Sequence, residues 1–184
     1  MTGLTIRVFG DPVLRQQARI VTDFDGRLSQ LAEAMHNTMN AADGVGLAAN
    51  QVGVLKRLFT FAAPNDAGEV IRGSIVNPVV THRSTEEQDG EEGCLSLPQL
   101  FYPVMRPERI AVAYQRLDGS DDTVELSGFL ARVWLHEMDH LDGVLFIDHL
   151  AKHDRQAALK ILRERALATD TDPNLAGRIL PGFS

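Results

Sequence analysis

The segment from Phe129 to Leu141 is apolar almost throughout, and near its middle it carries His136-Glu137-Met138-Asp139-His140. On an α-helix, residues four apart lie about 40° apart around the axis and about 6 Å along it, so His136 and His140 present both imidazoles to one point. Glu137 sits about 60° further round from His140, close enough to reach a water on a metal held by the pair and badly placed to be a third ligand. The arrangement reads as a metal clamp with a base beside it. Phe129, Leu130, Ala131, Val133, Trp134, Leu135, Met138 and Leu141 leave no polar stripe, which marks a helix buried on nearly all sides. Unpaired imidazoles and a carboxylate are costly in such a helix, and a metal supplies the partners they need. Ser127 is the expected N-cap and Gly143 the C-terminal stop. The rest of the chain is read as a wrapper for this helix.

At 184 residues the chain is expected to form one domain, residues 1–168, followed by an irregular tail over 169–184. A chain of this size buries roughly 70% of its unfolded surface without staples. Cys94 is the one cysteine, so no intrachain disulfide forms, and a lone thiol beside paired histidines reads as a nucleophile or a metal ligand. The N-terminal residues lack the apolar run of a signal peptide and no segment reaches membrane-spanning length, so a cytoplasmic protein with no membrane partner is expected. The formal charge of -7 opposes a general nucleic-acid binder, because no overall positive field attracts phosphates.

Along the chain, Asp11-Pro12 caps a short helical turn, and Leu28, Leu31, Ala32, Met35 and Met39 recur at helical spacing until Asp43-Gly44. His36 on that helix is read as a surface or satisfied histidine. The stretch Gly44 to Gly53 is a loop of small residues whose chemical handle is Gln51. Residues 57–62 and 70–80 are β-prone, the second interrupted by Asn77-Pro78, which suggests an edge position or a break. The acidic run Glu86 to Glu91 reads as a solvated loop, with Glu92 set apart because it abuts Cys94. Residues 110–126 form a hairpin about Asp118-Gly119 that leads into the clamp helix. A charged amphipathic helix over 150–168 follows.

Three segments taken together, Gly44-Val-Gly-Leu-Ala-Ala-Asn-Gln51, Glu92-Gly-Cys-Leu-Ser96 and His136-Glu-Met-Asp-His140, resemble the signature motifs of the peptide deformylases. These enzymes remove the formyl group from the initiator methionine of new bacterial chains. The resemblance extends to Asp11-Pro-Val-Leu-Arg15 and Leu141-Asp-Gly143, covering roughly residues 5 to 150. It implies an α+β fold in which antiparallel β-sheets wrap the central helix that bears the histidine pair; the C-terminal helix is read from the residues alone, because the family varies after about Ala151. Two positions depart from the usual pattern: Leu135 stands where glutamine often precedes the first histidine, and Gln99 where glycine often follows Ser-x-Pro.

The resemblance nominates Cys94 as third metal ligand with His136 and His140, leaving an open position for water. A thiolate and two imidazoles suit Fe(II), Zn(II), Ni(II) or Co(II) rather than magnesium or calcium, and the family's physiological metal is generally Fe(II). Hydrolysis of a formamide by metal-activated water is implied, with Glu137 as general base and then general acid. The Gln51 side-chain amide and the Leu95 backbone N–H are implied oxyanion donors. Gly46 lets its loop approach the substrate, and the Val45 carbonyl is expected to accept from the substrate backbone. Phe129 and Val133, on the His136 side of the helix, are candidate walls of a methionine slot with Arg132 at its rim. Asp139 is a candidate acceptor that orients a ligand or pairs with an arginine.

A rival metallopeptidase fits poorly: the extended metzincin pattern puts its third histidine at Phe146, and a thermolysin-like site has only Glu164 to use. A deformylase-like binding module that has lost its chemistry is opposed by the presence of Gln51, Cys94, His136, Glu137 and His140. Formyl-methionyl nascent peptides are the expected partners. Lys152, Arg155, Lys160, Arg163 and Arg165 against Asp154 and Glu164 give the last helix a local charge of +3, sufficient for a weak, salt-screened contact with ribosomal RNA.

Overall fold

A computed structural model describes residues 3–171, and residues 172–184 of the expected tail lie outside the described residues. Three helices, α1 (Gly26–Ala41), α2 (Gly128–Leu141) and α3 (Lys152–Thr171), accompany nine strands. The strands are β1 (Gly46–Ala48), β2 (Leu58–Pro64), β3 (Val70–Arg83), β4 (Glu87–Gln88), β5 (Glu91–Cys94), β6 (Leu97–Pro103), β7 (Arg106–Pro107), β8 (Arg109–Gln115) and β9 (Asp121–Ser127). Five of them form a sheet in the order β1-β2-β3-β8-β9, antiparallel throughout, while β4 pairs with β7 and β5 with β6. This is the expected α+β arrangement, with α2 at its centre.

Three apolar clusters surround α2. One fills the space between it and the sheet, where Trp134 meets Phe59, Phe61 and Tyr114 at ring-centroid distances of 5.3, 5.2 and 5.6 Å. A second joins the sheet to α1 through Leu28, Met35 and Met39, the apolar face that the helical spacing implied. A third joins the β5–β6 hairpin to Phe146, Ala158 and Leu162, and it docks α3. Leu135, in place of the usual glutamine, is buried in the first cluster.

Several local expectations change. Asn77-Pro78 is not at an edge: β3 runs through it as the middle strand, and the break is a register shift between Val76 and Val79. The bulge absorbs the proline's missing N–H, and Asn77, at φ 52°, ties it to Val21 and Gln115. The Gly44–Gly53 loop is ordered as β1 and a 3-10 turn over Ala49–Val52. Glu87–Gln88 of the acidic run is paired with β7. Ser127 occupies the N-cap position, but its hydroxyl bonds Asp66 rather than the helix. Gly143 does stop α2, at φ 73°, where a side chain would strike the Arg15 carbonyl. α3 continues to Thr171, past the expected end at 168.

Candidate metal centre

Cys94 ends β5, and strand alternation puts it on the same face as Glu92, two residues back, both turned toward α2. There the sulfur lies 3.2 Å from His140 Nε2, which is 3.2 Å from His136 Nε2, and the three ligand atoms all fall within 4.8 Å of one another. Tetrahedral ligation with bonds of about 2.0–2.3 Å separates neighbouring ligand atoms by about 3.3–3.6 Å, so this spacing fits one small divalent ion. The orientation is fixed from behind: His136 Nδ1 meets Glu92 Oε2 at 2.9 Å, which holds that proton on Nδ1 and turns the Nε2 lone pair inward. The Asn50 side-chain amide donates to the His140 carbonyl, pinning the last turn of α2.

Charge within the cluster follows the same logic. Burial alone would push the Cys94 thiol up, but the imidazoles of His140 and His136 outweigh it and bring the thiol down to about 5. Burial opposes protonation of His136, yet Cys94 and Glu92 raise its pKa well above the ordinary value. A divalent ion displaces such protons when it binds. The Ser96 N–H, 3.4 Å from the sulfur, further favours thiolate.

Glu137 stands beside the cluster, 3% exposed, with Oε2 lacking a hydrogen-bond partner among the described residues. Burial drives its carboxyl up to about 7, against the pull of His136 and His140. Gly46 of β1 passes so close that a Cβ there would enter the Glu137 carboxylate. Gln51, in the 3-10 turn after β1, is oriented by the end of that strand: the Ala48 N–H donates to its Oε1 at 2.8 Å, leaving Nε2 to face Ser96 Oγ at 3.1 Å and the sulfur at 3.5 Å. Leu95 buries its side chain in the second cluster, and its backbone N–H has no partner among the described residues.

These groups line a pocket of about 270 Å³, which Val45, Gly46, Gln51, Phe129 and Val133 also border. Phe129 is 44% exposed at its entrance, whereas Val133 is buried deeper. Two expectations need correction. The Val45 carbonyl already accepts from the Ala62 N–H at 2.9 Å within the sheet, so the alternation of an antiparallel ladder leaves the backbone groups of Gly46 facing the free edge of β1 instead. Arg132 is not at a rim. It is 4% exposed and donates to Glu92 Oε1 and to the carbonyls of Gln88, Gly90 and Val104.

The network behind the ligands went unread in the sequence. Arg106 forms a forked pair with Glu92, at 2.8 and 2.9 Å, and reaches Asp139 at 2.7 Å. Burial would raise the Glu92 carboxyl, but Arg106 and His136 hold it well below the usual range. Asp139 pairs with an arginine, one of its two expected roles, and with His149 at 2.7 Å. His36 is partly buried against Ser74 and takes no part.

Residues 4–156 match the sequence profile of the family described as polypeptide deformylase. The chain belongs to the peptide deformylase family. A peptide deformylase from Parafrankia sp. is 48% identical over 173 residues, covering 94% of this chain and 92% of that one. The crystal structure of a peptide deformylase from Thermus thermophilus superposes with a TM-score of 0.83 at 44% identity, over 93% of this chain and 99% of that one. A peptide deformylase from Ehrlichia chaffeensis, solved in complex with actinonin, superposes at 0.82 with 36% identity over 90% and 98% of the two chains. The chain therefore joins a family of metal-dependent enzymes that remove the N-formyl group from nascent peptides. Among the described residues no helix is long and apolar enough to cross a membrane.

Proposed function

We propose that this peptide deformylase hydrolyses the formamide of N-formylmethionyl chains at one divalent ion held by Cys94, His136 and His140. The reading rests on one juxtaposition: three convergent ligand atoms with an unpartnered, buried carboxylate next to them in an open pocket. A divalent ion bound there supplies a water of lowered pKa and polarises the formyl oxygen. Glu137 accepts the water's proton and returns it to the departing amine. Gln51 Nε2 and the Leu95 N–H donate to the oxygen that gains negative charge, and neither adds a charge of its own. Gly46 offers an N–H and a carbonyl to an extended substrate backbone, with the Val45 side chain beside it. Phe129 and Val133 wall the methionine slot. Arg132 and Arg106 hold Glu92, and through it His136, in place.

The native ion under this proposal is Fe(II), which the donor set accepts along with zinc, nickel and cobalt and which the family resemblance selects, and the protein works in the cytoplasm where formylated chains emerge. The test is formate release from formyl-Met-Ala-Ser by protein purified without oxygen, with metal analysis and peroxide challenge of iron- and nickel-loaded forms. Formate release, predominant iron and faster loss in the iron form are expected. No formate release would sink the reaction, and equal loss in both forms would sink the assignment of iron.

A ribosome contact through the basic side of α3 is the second proposal. The helix docks through Ala158 and Leu162, and Lys152 and Arg163 stand exposed without ionic partners among the described residues. Arg155 is drawn to Asp148 at 2.9 Å and Arg165 to the Pro98 carbonyl at 2.6 Å, which reduces the charge on offer. Salt-sensitive co-sedimentation with ribosomes, lost on changing Lys152 and Arg163 to Glu, is the expected result, and its absence at low salt leaves α3 structural.

A further inference from the structure

The turn from β5 to β6 carries Cys94, Leu95 and Ser96 in a row, and the proposed reaction uses the first two, through a sulfur and a backbone N–H. Ser96 is fully buried, and its Oγ lies 3.1 Å from Gln51 Nε2. An amide nitrogen has no lone pair to offer, so the hydroxyl oxygen is the acceptor. The other end of the amide settles which way it faces, because the Ala48 N–H needs Oε1 as its acceptor. An amide nitrogen carries two N–H groups, and both are committed, one to Ser96 Oγ and one to Cys94 Sγ at 3.5 Å.

An amide so committed donates to a formyl oxygen only by releasing one of these contacts, and the two differ in what they hold. The hydroxyl is a compact acceptor at ordinary hydrogen-bond length. The sulfur is larger, its charge is diffuse, and it also receives the Ser96 N–H at 3.4 Å. An oxyanion concentrates its charge on oxygen and takes the N–H from the sulfur. We infer that Ser96 is a positioning residue for Gln51: its Oγ anchors one N–H of the amide while the other passes from the Cys94 sulfur to the formyl oxygen as negative charge grows there. Because Ser96 adjoins Leu95, the same anchor fixes the spacing of the two oxyanion donors, which come from the 3-10 turn after β1 and from the β5–β6 turn. The inference rests on the deformylase reading above.

The experiment is a double-mutant cycle of Ser96→Ala and Gln51→Ala, read by formate release from formyl-Met-Ala-Ser and by absorption of the cobalt-loaded proteins. Ser96→Ala deletes only the hydroxyl, and both backbones stay tied to the N-terminal segment: the Phe9 N–H donates to the Ser96 carbonyl at 2.8 Å and the Arg7 N–H to the Gln51 carbonyl at 2.7 Å. Stoichiometric cobalt binding identifies each variant as folded at the site. Expected are a fall in kcat of about tenfold or more for Ser96→Ala and about 10²-fold or more for Gln51→Ala, with KM within about threefold and a double variant no slower than Gln51→Ala alone. The sulfur-to-cobalt absorption band moves to lower energy in Gln51→Ala, which lacks the N–H on sulfur, and in the same direction in Ser96→Ala. Losses that multiply in the double variant, or a band that Ser96→Ala leaves unmoved, overturn this inference alone. No formate release by the wild-type holoenzyme overturns the deformylase reading and takes this inference with it.

Discussion

Helix α2 has two buried faces of opposite character. On one, Trp134, Leu135 and Met138 pack against the sheet among aromatic rings; on the other, His136, Glu137 and His140 meet Cys94, Glu92 and the pocket. Both are almost closed to water, yet one is held by area and shape and the other by paired charge. Burial on the apolar face contributes stability wherever it occurs. On the polar face burial opposes most of the groups present, and it is tolerable because His136, Glu92 and Arg106 are paired with one another while Glu137 alone is left without a partner among the described residues.

The sharpest break between the faces comes from a matched pair of substitutions. Trp134→Ala opens a cavity and costs about 3–5 kcal/mol, and Glu92→Gln costs about as much by leaving Arg106 and Arg132 buried without their carboxylate. The two separate in metal affinity: Glu92→Gln is expected to weaken it about 10–100-fold by freeing His136, while Trp134→Ala leaves it within a few-fold. Denaturant unfolding with metal titration reads both, and equal metal affinities would erase the distinction drawn between the faces.

Glu137→Gln sharpens the same contrast. Turnover is expected to fall about 10²-fold or more with metal retained. The stability of the metal-free protein should move the other way. Its folded carboxyl titrates at about 7 against an ordinary 4.5, so between those values the folded state holds a proton that the unfolded chain has lost, and stability falls as pH rises. Removing the carboxyl therefore gains about 1–3 kcal/mol at pH 8 and almost nothing at pH 4, by thermal or denaturant unfolding at each pH. A pH-independent difference would show that burial does not strain this group.

How much of this was legible in the sequence depended on whether the signal was local. The convergence of His136 and His140, the carboxylate beside them, the burial of α2 and the Gly143 stop are short-range patterns, and they read directly. Arg106 was missed because its partners, Glu92, Asp139 and His149, are brought to it only by the fold, and no spacing links them. Arg132 was misplaced although one clue was available: it lies four residues before His136, hence on the inward face that carries the ligands. Glu92 was set apart from its acidic run by adjacency to Cys94, but the two-residue alternation that buries it needed β5 to be recognised first. The Asn77-Pro78 bulge was hidden because proline carries the same mark at an edge and at a bulge.

The smallest effect expected lies at the β5–β6 hairpin on the polar side. Gln99 holds φ 56°, a left-handed conformation that costs a non-glycine residue about 1–2 kcal/mol, and it stands where the family often has glycine. Gln99→Gly should gain about 0.5–1 kcal/mol after glycine's own entropy is counted, seen as a Tm rise of about 1–4 °C. No rise would mean that the Gln99 side chain makes up for its backbone.

The residues of the candidate cluster are separated along the chain, Cys94 on β5 and His136 and His140 on α2, and the hairpin meets the helix on the face turned away from the sheet. No fragment emerging early from the ribosome contains the whole cluster, and local folding cannot assemble it. Under the proposed role of the cluster, the protein is inert during its own synthesis until the last turn of α2 has emerged and docked. On that role a nascent copy is a substrate for the reaction before it is a catalyst of it.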